Sequence, residues 1–187
     1  MKMKSIQFLL AMLGFTTALH ADETMNPTIS PQPEQVEMAE QPKTIKAETT
    51  PLDVELELTA GGTTTLADLM QENKAILVDF WATWCGPCIE SIPGLKHKAE
   101  ILAPQGVAVV AINIEKDGKN KAEKMRIKRQ ITFPWLVDNK RFYADYFQVE
   151  SIPRAILISS EGEVLFNGHP EDTKALQLAL NKLGIKL

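Results

Sequence analysis

Val78-Asp-Phe-Trp-Ala-Thr-Trp-Cys-Gly-Pro-Cys88 is the stretch on which the reading of this chain turns. An apolar run of strand length passes through two tryptophans into a pair of cysteines separated by Gly86 and Pro87. If a helix opens at Cys85, the i, i+3 spacing brings both sulfurs to one side of it. Pro87 suits an early helical position, where its missing N–H costs nothing, and Gly86 leaves room for a partner chain to approach. Cys85 at the helix start lies beside free backbone N–H groups and the positive helix end. Both favour thiolate and bring the pKa below the usual value of about 8.5. Cys88, one turn further in, is expected to be more buried. Cys85 is therefore the candidate attacking thiolate, and Cys88 the thiol that resolves a mixed disulfide.

These are the two cysteines of a 187-residue chain. A bridge between neighbours so close closes almost no loop and adds little stability, so reactivity is the better reason for the pair. Zinc is the other use of such a pair, and it needs further ligands. Cys85, Cys88, His97 and His169 form a conceivable set of four, but His97 reads more simply as a surface residue and His169 as a loop residue. No metal and no cofactor is expected.

Asp79 interrupts the apolar run Ala75-Ile-Leu-Val-Asp-Phe80. Two readings stand. A buried carboxylate short of hydrogen bonds takes a raised pKa and, near Cys88, accepts the proton that Cys88 must lose. Alternatively, the strand turns Asp79 out to solvent.

Working outward, Leu52–Leu58 alternates with period two and predicts a half-buried strand. Gly61-Gly62 turns the chain, and Thr65–Met70 predicts a short helix. Ala75–Phe80 is a central buried strand, followed by a helix from Cys85 to about Leu102 with a bend at Pro93. Gly106–Ile114 is a second buried strand, parallel to the first if the helix crosses over. Asn120–Arg129 is a charged helix, and Asp138–Phe147 holds a helical turn or two. Ala155–Ile158 and Val164–Phe166 are strands joined by a turn at Ser159–Gly162, and Asp172–Leu183 is an amphipathic helix. This order predicts an α/β fold: a mixed central sheet with helices on both faces.

The domain is expected to span residues 52–187. Residues 1–21, with a basic start, a short apolar stretch and small residues before Asp22, have the three parts of a secretory signal. Cleavage is expected after Ala21, with Ala18 as the competing site and an uncleaved membrane anchor as the alternative. Residues 22–51, rich in Pro, Glu and Thr, read as a disordered leader. The net charge of −4 becomes about −6 once Lys2 and Lys4 are removed with the signal. No global positive field holds nucleic acid or an anionic membrane. A basic run from Lys116 to Arg129 either docks an acidic partner or is a solvated helix face. It lacks interleaved aromatics, which excludes a nucleic-acid platform.

Asp79-Phe-Trp-Ala-Thr-Trp-Cys-Gly-Pro-Cys88 is similar to the active-site stretch of thioredoxin. The wider frame resembles the exported TlpA/ResA-like branch of that superfamily over residues 52–187. The resemblance is carried by the N-terminal segment, Cys88-Ile-Glu-Ser-Ile-Pro-Gly-Leu95, the insert between Ile114 and Phe147, Phe133-Pro-Trp-Leu-Val-Asp138 and Ser151-Ile-Pro153. It implies a thioredoxin-like fold, a cis bond at Pro153 facing the cysteines, and an Ile152 backbone that receives an extended substrate. It also implies that Trp84 shields the sulfurs and offers apolar contact, that Trp81 and Phe80 support the core, and that Asp79 matches thioredoxin's buried acid. Ser91 and Arg154 depart from the common pattern, and Arg154 puts a charge near the substrate groove.

The resemblance further implies a thiol–disulfide oxidoreductase in the periplasm. Its partners would be cysteine-containing substrate proteins and a membrane thiol reductase donor of the DsbD or CcdA kind, with cytochrome c maturation as one destination. Gly86-Pro87 matches the reducing thioredoxins. A periplasmic disulfide oxidant or isomerase, and a noncatalytic module with the same fold, are the alternatives.

Overall fold

The structure, a computed structural model, describes residues 50–187. The expected signal at 1–21 and nearly all of the expected leader lie outside the described residues. A 3-10 turn at Pro51–Asp53 comes first, then β1 (Leu56–Leu58), β2 (Thr63–Thr64) and α1 (Leu66–Gln71). β3 (Ala75–Trp81), α2 (Gly86–Leu102), β4 (Val107–Asn113), α3 (Lys119–Arg129) and β5 (Trp135–Val137) follow. The chain closes with α4 (Phe142–Tyr146), β6 (Arg154–Ser159), β7 (Val164–Gly168) and α5 (Thr173–Asn181).

The strands form one mixed sheet in the order β2-β1-β5-β4-β3-β6-β7. β3 is parallel to β4 and antiparallel to β6, so both of its edges are paired. All seven of its residues are buried, as a strand covered on both faces requires. Side chains alternate across the sheet. Ala75, Leu77 and Trp81 pack with Cys88, Ile92 and Leu95 of α2, Ala122 of α3, and Leu176 and Leu180 of α5. Ile76, Val78 and Phe80 pack on the other face with Leu66 and Met70 of α1 and with Tyr143 and Ala144 of α4. The α/β class with helices on both faces is borne out. Each fully buried Leu or Ile adds about 2 kcal/mol of apolar transfer to this two-sided core.

Local signals explain the element boundaries. The Thr65 side chain accepts from Asp68 N at 2.9 Å, and the Asp68 carboxylate accepts from Thr65 N at 3.2 Å, a reciprocal cap that starts α1. Asp138, fully buried, accepts from Phe142 N, Tyr143 N and Ala144 N and starts α4. α2 runs on through Pro93 without a break.

The expected strand over Leu52–Leu58 is shorter than its alternation suggests. Thr50 and Asp53 cap each other, with the Asp53 carboxylate accepting from both the backbone N and the hydroxyl of Thr50 at 2.9 and 2.8 Å. Pro51 begins the turn between them. The Tyr143 hydroxyl then shares its one proton between the carbonyl oxygens of Leu52 and Val54, at 2.9 and 2.8 Å, and diverts the segment from sheet pairing. Only Leu56–Leu58 pairs, with β2 on one side and β5 on the other.

Replacing that hydroxyl tests the account of the segment. Tyr143→Phe is expected to lower stability in urea by about 1 kcal/mol and to speed proteolysis around residues 50–55. Unchanged proteolysis contradicts the anchoring role.

Candidate functional site

The C-terminal end of β3 delivers the chain to the cysteines. After Trp81 the backbone turns through Ala82, Thr83 and Trp84, with Cys85 N donating to the Ala82 carbonyl at 3.1 Å. Cys85 is the N-cap residue of α2, and its Sγ accepts from Cys88 N at 3.3 Å. Helix N-termini leave backbone N–H groups without intrahelical partners and carry partial positive charge, so the first sulfur sits where negative charge is favoured. Cys85 and Cys88 are bonded to each other, with an S–S distance of 2.08 Å and Cα atoms 5.3 Å apart. Cys85 is 5 % exposed and Cys88 1 %, the order expected from their places on the helix. Gly86 and Pro87, which form the first helical turn between them, are both exposed.

Trp84 is 68 % exposed beside Cys85, whereas Trp81 and Phe80 are buried. The first therefore offers an apolar surface at the rim, and the other two belong to the core. The Ile152–Pro153 bond is cis. Its position follows from the register, because Arg154 pairs with Phe80 at the end of β3 that feeds the cysteine turn. Ile152 is half-buried and touches both core clusters. The sheet thus carries Trp84, the two cysteines and the Ile152–Pro153 bond to one end. Arg154 is tied sideways, its Nε donating to Asn167 Oδ1 on β7.

Asp79 is buried at 3 % exposure, so the solvent-facing alternative does not hold. It shares its sheet face with Leu77 and Trp81, the face that α2 covers with Cys88. Its lateral neighbours on β4 and β6 are Ala111 and Ala155, two small side chains that leave the carboxyl uncrowded. Asp79 Oδ1 has no hydrogen-bond partner. Burial pushes the carboxyl up from its ordinary 3.8 to about 7, with the Lys98 ammonium pulling the other way.

The basic run is partly consumed within the domain. Lys119 pairs with Glu57 at 2.9 Å, Lys121 with Glu115 at 2.6 Å, and Arg126 with Glu123 at 2.8 Å. His97 is exposed and His169 N-terminal to α5 accepts from Glu171 N at 3.2 Å. Among the described residues, no group of three or more His, Cys, Asp or Glu side chains is gathered to hold a metal ion. Sequence reasoning missed Thr83 and Glu115. The Glu115 carboxylate accepts from both the backbone N and the hydroxyl of Thr83. The contact crosses 32 positions, and no local pattern announces it.

The sequence pattern of the AhpC/TSA family matches residues 48–166. The chain belongs to the AhpC/TSA family. Among relatives, the thiol-disulfide oxidoreductase ResA of Bacillus subtilis is 32 % identical over 112 residues, which are 59 % of this chain and 60 % of its own length. The thioredoxin-like protein YneN of the same organism is 32 % identical over 114 residues, 60 % of this chain and 65 % of its own length. The chain thus spans less than two thirds of the length of these relatives. Among solved structures, a candidate thiol-disulfide oxidoreductase from Bacteroides vulgatus is 30 % identical with a TM-score of 0.62, covering 75 % of this chain and 92 % of that one. A candidate thiol:disulfide interchange protein DsbE from Chlorobium tepidum is 28 % identical with a TM-score of 0.61, covering 70 % and 92 %. The thioredoxin-like fold and the ResA-like resemblance of this AhpC/TSA chain are borne out.

The raised Asp79 carboxyl carries a stability consequence. Between about pH 4 and 7 the folded chain holds a proton that the unfolded chain has released. Stability therefore falls as pH rises through that window and levels off above it. Asp79→Asn lacks this penalty. In urea unfolding with the disulfide intact, the variant is expected to exceed the parent at pH 8 by on the order of a few kcal/mol. The gap should close below about pH 4. Equal stabilities at pH 8 contradict a buried, uncompensated carboxyl.

Proposed function

We propose that this chain is a thiol–disulfide oxidoreductase that reduces disulfides of substrate proteins, with Cys85 as nucleophile and Cys88 as resolving thiol. The observation that carries the reading is the Cys85–Cys88 disulfide at the N-terminus of α2, with the less buried of the two cysteines at the cap. The names of ResA and of the Bacteroides vulgatus protein support the same reaction class.

In the reduced state, the Cys85 thiolate attacks one sulfur of a substrate disulfide. The Cys85–substrate bond forms, the substrate S–S bond breaks, and the expelled thiolate takes a proton. Cys88 then gives its proton to Asp79, whose pKa of about 7 lets it accept and return a proton near neutrality. The Cys88 thiolate attacks Cys85 Sγ and releases the second substrate thiol. The enzyme is left as the disulfide seen here, having passed two electrons to the substrate. A donor dithiol, oxidised in turn, restores the reduced pair. Trp84, Gly86, Pro87 and the Ile152–Pro153 backbone form the substrate-contacting rim: exposed apolar surface, a residue without a side chain to obstruct approach, and main-chain groups open to an extended segment.

The setting we propose is the periplasm, on the strength of the basic and apolar pattern of residues 1–21. In an oxidising compartment a reductase needs a dedicated source of electrons, and a membrane donor of the DsbD or CcdA kind fits that need. Haem attachment to c-type cytochromes requires free thiols, and their regeneration is a fitting use for the ResA-like chemistry.

Trapping tests the assignment. Reduced Cys88→Ser protein mixed with insulin is expected to accumulate a mixed disulfide through Cys85, visible by mass. Cys85→Ser should form none and should lose reductase turnover altogether. Full turnover by Cys85→Ser contradicts the assignment. Asp79→Asn should slow turnover at least about 10-fold at pH 7 while still forming the first adduct.

A further inference from the structure

Three carboxylates are buried among the described residues: Asp79, Glu115 and Asp138. Asp138 caps α4, and Asp79 faces the helix that carries Cys88. Glu115 lies two residues beyond the end of β4 and touches neither cysteine, yet both of its oxygens are engaged. Oε2 accepts from Thr83 N at 3.2 Å and from the Thr83 hydroxyl. Oε1 accepts from Lys121 Nζ at 2.6 Å, on α3. Removing a carboxylate from water is costly unless its lone pairs are taken up. Burial pushes Glu115 up, but the bonds from Lys121 and Thr83 outweigh it and hold the carboxyl below its ordinary range.

The residue is also held from behind. Glu115 N donates to Asn113 Oδ1 at 3.0 Å. Its carbonyl accepts from Gly118 N at 3.0 Å, and Asp117 adopts a φ of 57° to close that turn. A Cβ on Gly118 would lie 2.5 Å from Asn113 Oδ1 and 2.9 Å from both Glu115 Cβ and its carbonyl oxygen. The turn therefore requires glycine there for close approach.

The group at the far end of this arrangement is the segment before Cys85. Thr83 precedes the N-cap cysteine by two residues, and Trp84 between them is too exposed to be held by packing. We propose that Glu115 is a positioning residue of the redox centre: it clamps Thr83 and so fixes Cys85 at the N-terminus of α2. Lys121 keeps the clamp charged and ties it to α3. The proposal builds on the redox reading of the cysteine pair, but its primary readout is the nucleophilicity of Cys85, which is measured without any turnover.

The experiment compares two uncharged replacements in the fully reduced protein. Glu115→Gln keeps an acceptor for Thr83, and Glu115→Ala removes it. Because both lack the charge, their difference reports the clamp. Alkylation of Cys85 by iodoacetamide at pH 7 and 25 °C, followed by mass, is expected to be at least about five-fold slower in Glu115→Ala than in Glu115→Gln. Thermal unfolding midpoints establish that both are folded at that temperature. Insulin reduction should follow the same order. Equal alkylation rates in the two folded variants overturn the proposal. If Glu115→Ala does not fold, Thr83→Val serves instead, since it drops the hydroxyl arm and keeps the backbone arm. It should alkylate about two- to three-fold more slowly than the parent, and an unchanged rate overturns the proposal. Failure of the parent to reduce insulin would count against the redox reading alone, because the alkylation comparison does not depend on it.

Discussion

Burial of both faces of β3, with both of its edges hydrogen-bonded to neighbours, leaves that strand no freedom to slide or twist out of place. Its last residue, Trp81, fixes where the chain leaves the sheet, and four residues later comes Cys85, the N-cap of α2. α2 is seated in turn by Ile92, Leu95 and Leu102 against the same sheet face. The sulfur pair is therefore placed by the core at one end of the sheet, not by the conformational preferences of a loop. β6 adds the Ile152–Pro153 bond to that end through its own register with β3. A site built this way keeps its geometry while its rim, with Trp84, Gly86 and Pro87, stays exposed.

Two buried carboxylates, Asp79 on β3 and Glu115 bonded to Thr83, have been driven in opposite directions by their surroundings. Asp79 has one oxygen without a partner and a pKa raised to about 7. Glu115 has both oxygens bonded and is held low. Separation of that kind sorts groups into roles. The raised carboxyl is suited to exchanging a proton near neutral pH, and the lowered one to staying charged and holding a backbone segment still. Asp79 also sets a cost on the fold, since above pH 7 a charge sits in the interior. Its lateral neighbours Ala111 and Ala155 carry no group that would neutralise it, and the Lys98 ammonium offsets the burial only in part.

Much of this was legible before the structure. Ala75–Phe80 and Gly106–Ile114 are apolar runs of strand length, and the Cys85–Cys88 spacing with Pro87 between them suits a helix opening at Cys85. The resemblance to thioredoxin's active-site stretch implied an outer Trp84 and a core Trp81, and the structure exposes the first and buries the second. What escaped has physical reasons. Leu52–Leu58 alternates like a strand, but Thr50, Pro51 and Asp53 form a competing turn, and the Tyr143 hydroxyl holding it lies about 90 positions away. β5 has three residues, too few to show a period. Periodicity could not decide which way Asp79 faces, because one polar residue in an apolar run fits either. Glu115 was invisible for a different reason. Its partner Thr83 is on another strand connection, and an acid followed by lysines looks like any solvated helix start.

The reduction potential of the Cys85–Cys88 pair, equilibrated against defined dithiothreitol ratios, tests the central claim most directly. The proposed reducing role requires a potential near that of thioredoxin, about −270 mV. A value near −120 mV, that of a strong oxidant, would contradict the account and make the pair a donor of disulfides.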